Sequence, residues 1–383
     1  MDLSVDRVSG RLSNGCMSQE KNTTSFTVKK VLSIFGAEIG RSALLKAESS
    51  GAIPEPGRQE TGAVRRRSWS IEDLPAIGER YGFLKKPASP VVLTTFTTKG
   101  GVLKTTLALN IARMAALHNI RTCVVGLDLQ GDISASLGLN VDLEESESMS
   151  DAIEKISSPR GLFDFMEGEV ELEALIMDTD IPTLKFIPET PELVQLEQAI
   201  TLRDRREYWL KEKVISALTK KFDLVIIDCS PNWNRLVTNA LVASDLLVSP
   251  LECKINNFRN FSVFREFLTK FRDEMRLKFT TVFVPTRFSA NRKLSTEIRN
   301  WYLTNAEGCI HDAIRESTGG EEATAMRLSL PEYAPTTLQA DEVRNVLSQV
   351  WNRVLDVAKS RDVQASVASG RSYSQANTTE ARA

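Results

Sequence analysis

The ten residues 97-TTKGGVLKTT-106 decide the fold of this chain. An apolar, β-branched run, 91-VVLTTF-96, leads into them. The segment 105-TTLALNIARMAALHN-119 leaves them with Leu107, Ile111, Met114 and Leu117 (or Ala115) at the three-to-four spacing of a helix. Strand, glycine-containing loop and helix start, in that order, make a phosphate cradle, because loop amides and the helix N-terminus converge on anionic oxygens. In such a loop the Lys104 ammonium would meet β- and γ-phosphate oxygens and the Thr105 hydroxyl would ligate Mg²⁺. The generic G-x-x-x-x-G-K-[ST] pattern fails at one place, where Leu103 replaces the glycine before the lysine, and a lysine–glycine cluster at a strand end is also a common plain turn. Lys99 is a second cation that the generic pattern does not require.

Working outward, short apolar runs recur at 122-TCVVGL-127, 184-LKFIP-188, 223-DLVIID-228, 246-LLVSPL-251 and 281-TVFVP-285, with helical segments between them. Thr190 followed by Pro191 predicts the N-cap and first residue of one such helix. Runs of this kind fill a sheet covered on both faces, so the expected fold class is α/β: a doubly wound, mainly parallel sheet whose ligand sits at the carboxyl ends of the strands. Asp128, in 124-VVGLDLQGD-132, and Asp228, in 222-FDLVIIDCSP-231, end two of these runs and would face the same crevice as the loop. Carboxylates there suit hydrated Mg²⁺ and the orientation of a water. Taken singly, each could be an N-cap or turn residue, which is the commoner role of Asp at such places.

The 383 residues, 42% hydrophobic and 26% charged, are enough for two or three ordinary globular domains. Five cysteines stand singly, without a C-x-x-C pair, and only His118 and His311 could join them, so neither a zinc set nor a disulfide framework is expected. Cys229 and Cys253, at apolar strand ends, read as inert buried thiols, His118 as a surface or helix-capping residue, and Trp233, Trp301 and Trp351 as packing residues. The start of the chain lacks the apolar core of a signal peptide and no long apolar run occurs, which points to a cytoplasmic protein without a membrane span.

A net charge of −2 argues against general polyanion binding, but residues 26–87 hold 11 Lys+Arg against 7 Asp+Glu. There 41-RSALLKAESSGAIPEPGRQETGAVRRRSWSIEDLPAI-77 resembles a MerR-type winged helix-turn-helix. A helix near 41–49 would enter a major groove, with Arg41, Ser42 and Lys46 reading bases, and a wing with Arg65, Arg66 and Arg67 would contact phosphates; a solvated cationic surface is the alternative. Ser70 with Asp73 approximates a capping box for the helix that follows. The linker 86-KPASP-90 separates this module, 26–88, from an expected nucleotide-binding domain at 90–360, and the polar ends 1–25 and 361–383 read as disordered tails. The acidic stretch 143-LEESESMSDAI-153 reads as an exposed loop.

The run K-G-G-V-L-K-T-T, with Asp128 in L-D-L-Q-G and Asp228 in I-I-D-C-S-P, resembles the deviant Walker ATPases of the ParA/Soj/MinD group, most closely the long plasmid-partition ParA proteins. The likeness extends, more diffusely, through 231–252, 285–302 and 331–355. It implies slow Mg²⁺-dependent hydrolysis of ATP to ADP, a homodimer that sandwiches ATP, non-specific DNA binding in the ATP state and nucleoid association. It also implies operator binding through the N-terminal module and stimulation by a ParB-type centromere-binding partner. The same likeness gives Lys99 the role of the lysine that reaches the partner's nucleotide. It places the nucleotide against Lys99, Gly100, Gly101, Val102, Leu103, Lys104, Thr105 and Thr106, with Pro285 and Thr286 as further contacts. Long partition ATPases share the bulky residue at 103, and they share Gly126 where shorter relatives carry an acidic residue. Arg292 and Lys293 fall near a place where relatives touch DNA, or are simply solvated. Two rivals are a nucleotide-sensing transcriptional repressor without turnover, and a MinD-like membrane-associated ATPase, which the absence of an apolar face in the C-terminal tail disfavours.

Overall fold

In the computed structural model of the chain, residues 25–61, 64–139 and 159–368 are described. Residues 1–24 of the expected tail at 1–25, residues 369–383 and the acidic stretch 143–153 lie outside them. All six expected strands form: β4 (Val91–Thr95), β5 (Thr122–Leu127), β7 (Leu184–Ile187), β8 (Leu224–Cys229), β9 (Leu246–Glu252) and β10 (Thr280–Phe288). Two-residue strands β6 (Met177–Asp178) and β11 (Ile314–Arg315) extend the sheet at its edges, giving the order β11-β10-β9-β4-β8-β5-β7-β6. Every pairing is parallel except β6 with β7.

Alternation along the strands divides two apolar layers, as a period of two requires. Leu93, Val124, Leu224 and Ile226 feed one layer; Val92, Val125, Val225 and Ile227 feed the other. Because both layers are covered by helices, the central strands are buried along their whole length.

The N-terminal module contains α1 (Val28–Ile34), α2 (Arg41–Ser49), the antiparallel hairpin β2 (Gly57–Thr61) and β3 (Val64–Trp69), and α3 (Leu74–Tyr81). β1 (Phe26–Thr27) adds to β3. Ser70 and Asp73 form the expected capping box, the Ser70 amide donating to Asp73 Oδ2 at 2.9 Å. The module does not stand apart from the rest: Val31, Ile34, Leu44, Trp69 and Ile77 share one apolar cluster with the first helix of the α/β part, α4 (Lys104–Leu117), and with the long helix Leu338–Ala368. At Gly78 of α3 a side chain would have its Cβ 2.0 Å from Leu117 O, so only glycine allows the two helices this approach.

Three expectations are corrected. Thr190 is not an N-cap: the helix runs Leu193–Thr201 after a turn closed by the Leu193 amide on Thr190 O, and the Thr190 hydroxyl is buried. His118 is not on the surface but 2% exposed beneath α3, edge-on to Phe35 and Phe83, although it does cap α4. The last helix passes residue 361 and continues to Ala368, because Arg361 anchors it to Asp245 at 2.7 Å and to Pro90 O at 2.9 Å, and each further turn adds hydrogen bonds without a new nucleation step.

Candidate functional site

β8 lies between β4 and β5, so the carboxyl ends of these three strands meet in one crevice, with Thr95, Asp228 and Gly126 level across them. The loop after β4 turns through Gly101 (φ +69°) and Leu103 (φ +72°) before α4 begins at Lys104. Leu103 thus occupies a left-handed conformation that glycine adopts freely and a leucine adopts at a cost of about 1–2 kcal/mol. That conformation is the physical content of the glycine in the generic motif. The backbone keeps it here without the glycine.

Asp228 is fully buried and its carboxylate is fixed by two hydroxyls, Thr95 Oγ1 at 2.5 Å on Oδ1 and Thr105 Oγ1 at 2.8 Å on Oδ2. Burial pushes this carboxyl up to about 6, against the two hydroxyls and Lys104, which pull it down. Lys104 is itself buried, its Nζ donating to Lys99 O at 3.4 Å, and burial lowers its pKa while Asp228 and Asp128 hold it up. Asp128, directly after β5, is half-buried and turns the chain, its Oδ1 accepting from the Gln130 amide at 3.2 Å. The expected residues Lys104, Thr105, Asp128 and Asp228 therefore converge.

Lys99 leaves the loop in another direction. Its Nζ lies 2.7 Å from Glu252 Oε2 at the end of β9, and about a third of its side chain is exposed. Pro285 and Thr286 are buried in β10, and the Thr286 hydroxyl donates to Val102 O at 3.2 Å, bracing the loop from behind. Beside the loop opens a cleft of about 610 Å³ lined by Leu103, Thr105, Thr106, Arg287, Arg315 and Thr324, a volume suited to a small organic ligand.

Sequence reasoning missed Glu252 and Glu189. Glu252 is 4% exposed and gathers Lys99, Lys254 at 3.1 Å and Arg287 at 3.7 Å. Burial raises its carboxyl, but hydrogen bonds from Lys99 and Lys254 outweigh burial and leave it below the ordinary range. Glu189, beyond the end of β7, is 7% exposed; burial first, then the Asp228 charge, push it up to about 8 against three donors. An acid in a polar turn gives no sign of either role, which depends on strand order. Cys229 and Cys253 are buried, with thiols raised by burial, the latter to about 12, and are inert as expected.

The donor set fits a magnesium ion. Thr105 and Asp228 offer hard oxygens already in contact, with Asp128 on the next strand, and Mg²⁺ is ordinarily held by one or two carboxylates plus phosphate rather than by an all-protein cage. Among the described residues no cluster of three or more His, Cys, Asp or Glu side chains forms a closed metal site.

In the N-terminal module Arg41, Ser42 and Lys46 are exposed on one side of α2, opposite the buried Leu44 and Ala47. Arg67 is held by Glu48 at 2.7 Å. Arg65 and Arg66 lie in β3, with side chains outside the described set. Trp233, Trp301 and Trp351 all pack, Trp233 edge-on to Phe96 and Phe267. No helix among the described residues is long and apolar enough to cross a membrane.

Residues 91–281 match a family model described as an AAA domain. A chromosome partitioning protein ParA of Myxococcus xanthus is 31% identical over 156 residues, 41% of this chain and 50% of that protein, so the chain spans half the length of this relative. Cobyrinic acid a,c-diamide synthase of Mycobacterium smegmatis, solved with ADP and magnesium, is 26% identical and superposes with a TM-score of 0.51 over 62% of this chain and 92% of its own. A putative plasmid partition protein of Borrelia burgdorferi bound to AMPPNP is 19% identical; it shares the fold with a TM-score of 0.54, over 69% of this chain and 99% of its own. The loop, the two aspartates, the strand order and these likenesses together support a ParA/Soj/MinD-type P-loop ATPase.

Proposed function

We propose that the chain is a DNA-partition ATPase that hydrolyses ATP slowly with Mg²⁺. The observation that carries this reading is the fixed Asp228–Thr105 contact beside buried Lys104, a cation and two oxygen ligands at the mouth of a left-handed loop. Lys104 and the amides of Gly100, Gly101, Val102 and Leu103 hold the β- and γ-phosphates, and Thr106 continues the helix N-terminus that faces them. Thr105 and Asp228 would hold Mg²⁺, which when bound would supply charge to neutralise phosphate oxygens. Asp128, on its turn at the crevice edge, would orient water and help hold hydrated Mg²⁺. Pro285 and Thr286 shape the wall behind the loop.

Lys99, partly exposed beside Gly100 and Gly101, acts across a homodimer on the partner's triphosphate, where a second cation favours the charge that develops during transfer. In the ATP state the dimer binds DNA without sequence preference. The exposed face of α2 (Arg41, Ser42, Lys46) and the wing (Arg65, Arg66, Arg67) bind an operator, and a ParB-type partner stimulates turnover. These readings place the protein on DNA in the cytoplasm, not at a membrane.

Lys104→Gln tests the site: hydrolysis and ATP-dependent DNA retention should fall by at least about 100-fold, the scale of losing one preorganised charge-stabilising donor. Gel shifts on random DNA and on DNA upstream of the gene, with ATP, ADP or no nucleotide, test the partner assignment. Operator binding that responds to nucleotide in a protein without turnover, even with DNA and a ParB-type partner, would establish the repressor reading instead.

A further inference from the structure

We propose that Glu189, reaching from the end of β7 into the space that Gly126 leaves open on β5, is the positioning residue for Asp128. The fit between the two is steric. A Cβ built at Gly126 would lie 2.2 Å from Glu189 Cγ, 2.6 Å from Cδ and 2.9 Å from Oε1. The glycine is what admits the glutamate, and the glutamate fills what a side chain at 126 would fill.

The carboxylate placed there is used at both ends of the turn that follows β5. Oε1 accepts the Asp128 amide at 3.1 Å, and Oε2 accepts the Ser134 amide at 3.3 Å and the Ser134 hydroxyl at 3.1 Å. The Glu189 amide in turn donates to Ser134 Oγ at 2.8 Å. Residues 128–134 are therefore stapled from a neighbouring strand, at the residue assigned to water and at the short helix Asp132–Ser136. Glu189 itself is behind the turn. It touches the backbone of Asp128 and makes no hydrogen bond with the Asp128 carboxylate, whose Oδ1 accepts only the Gln130 amide of its own turn among the described residues, which is the arrangement of a residue that orients another.

The inference rests on the proposed ATPase reading for its kinetic consequence, but the staple can be tested without it. In the nucleotide-free protein, Glu189→Ala should speed hydrogen exchange at the Asp128 and Ser134 amides, while the sheet amides and the melting transition stay near wild type. Gly126→Asp alone should disrupt folding through the clash with Glu189. The double variant Gly126→Asp/Glu189→Ala returns a carboxylate to the same space from the opposite strand and should restore both folding and slow exchange.

In steady-state turnover Glu189→Ala should lower kcat by about 10- to 100-fold, the range for a reacting group displaced by an ångström or less. KM and the affinity for a fluorescent ATP analogue should stay within about threefold, because phosphate binding is left alone. Glu189→Gln, which keeps one acceptor oxygen, should fall between, and the double variant should recover most of kcat. Unchanged exchange in Glu189→Ala overturns the proposal, as does a folded double variant that recovers neither exchange protection nor kcat. A wild-type protein that binds no ATP analogue overturns the ATPase reading instead, with the exchange result still deciding the staple.

Discussion

Lys99 Nζ stands 2.7 Å from Glu252 Oε2, so the lysine assigned to a partner's nucleotide is held within its own chain in this structure. The pair can part without leaving a bare buried charge, because Glu252 keeps Lys254 at 3.1 Å and Arg287 at 3.7 Å when Lys99 swings away. Lys99→Ala should therefore alter thermal stability by less than about 1 kcal/mol, as for other partly exposed ion pairs. Its effect should appear in association: light scattering with ATP and Mg²⁺ should show a dimer for the wild type and a predominantly monomeric variant.

Leu103 offers a test of the loop free of nucleotide. Leu103→Gly relieves about 1–2 kcal/mol of left-handed strain and adds back about 0.5–1 kcal/mol of unfolded-state entropy, so the variant should be neutral or up to about 1.5 kcal/mol more stable. Leu103→Val, with a branched Cβ in the same conformation, should be less stable than wild type. Urea midpoints of the three proteins order them.

Arg113, 1% exposed on α4, is gripped by Glu332 at 2.8 Å through Nε and Nη2 and by Asp180 at 2.8 Å through Nη1 and Nη2. These contacts outweigh burial and hold its pKa well above the ordinary guanidinium value. Arg113→Met strands the buried Glu332 carboxylate and should cost about 3–5 kcal/mol in urea unfolding. Adding Glu332→Gln should return part of that loss, since a neutral amide no longer needs the cation.

His118 should make the fold acid-sensitive. Burial depresses its pKa to about 4, with the Met114 carbonyl opposing, whereas the unfolded residue titrates near 6.5. The unfolded state then binds the extra proton, so the contribution is complete above pH about 6.5 and is lost as pH falls toward about 4, reaching roughly 3 kcal/mol. His118→Phe removes the titration, and the urea midpoint of this variant should fall less between pH 7 and 5 than that of the wild type.

Much of this architecture was legible because parallel strands buried on both faces must be continuously apolar, and the six runs from Val91 to Pro285 could hardly be anything else. The loop and its two aspartates were legible for a related reason: chemistry at the carboxyl ends of such strands leaves polar residues just after apolar ones. Glu189 and Glu252 were not. Each acquires its role from which strand lies next to which, and the order β9-β4-β8-β5-β7 is absent from any local window. The misplacement of His118 has a similar cause, since amphipathic spacing marks which side of α4 is apolar but not that α3 would cover its end. Thr190 and Pro191 carry a helix-start signature that the chain spends on a turn two residues early.

Helix α4 begins under the phosphate loop and ends where Leu117 O meets Gly78, about 21 Å away at 1.5 Å per residue. With no methyl group at that far contact the two helices touch directly, so a single unbroken element joins the loop after β4 to the N-terminal module.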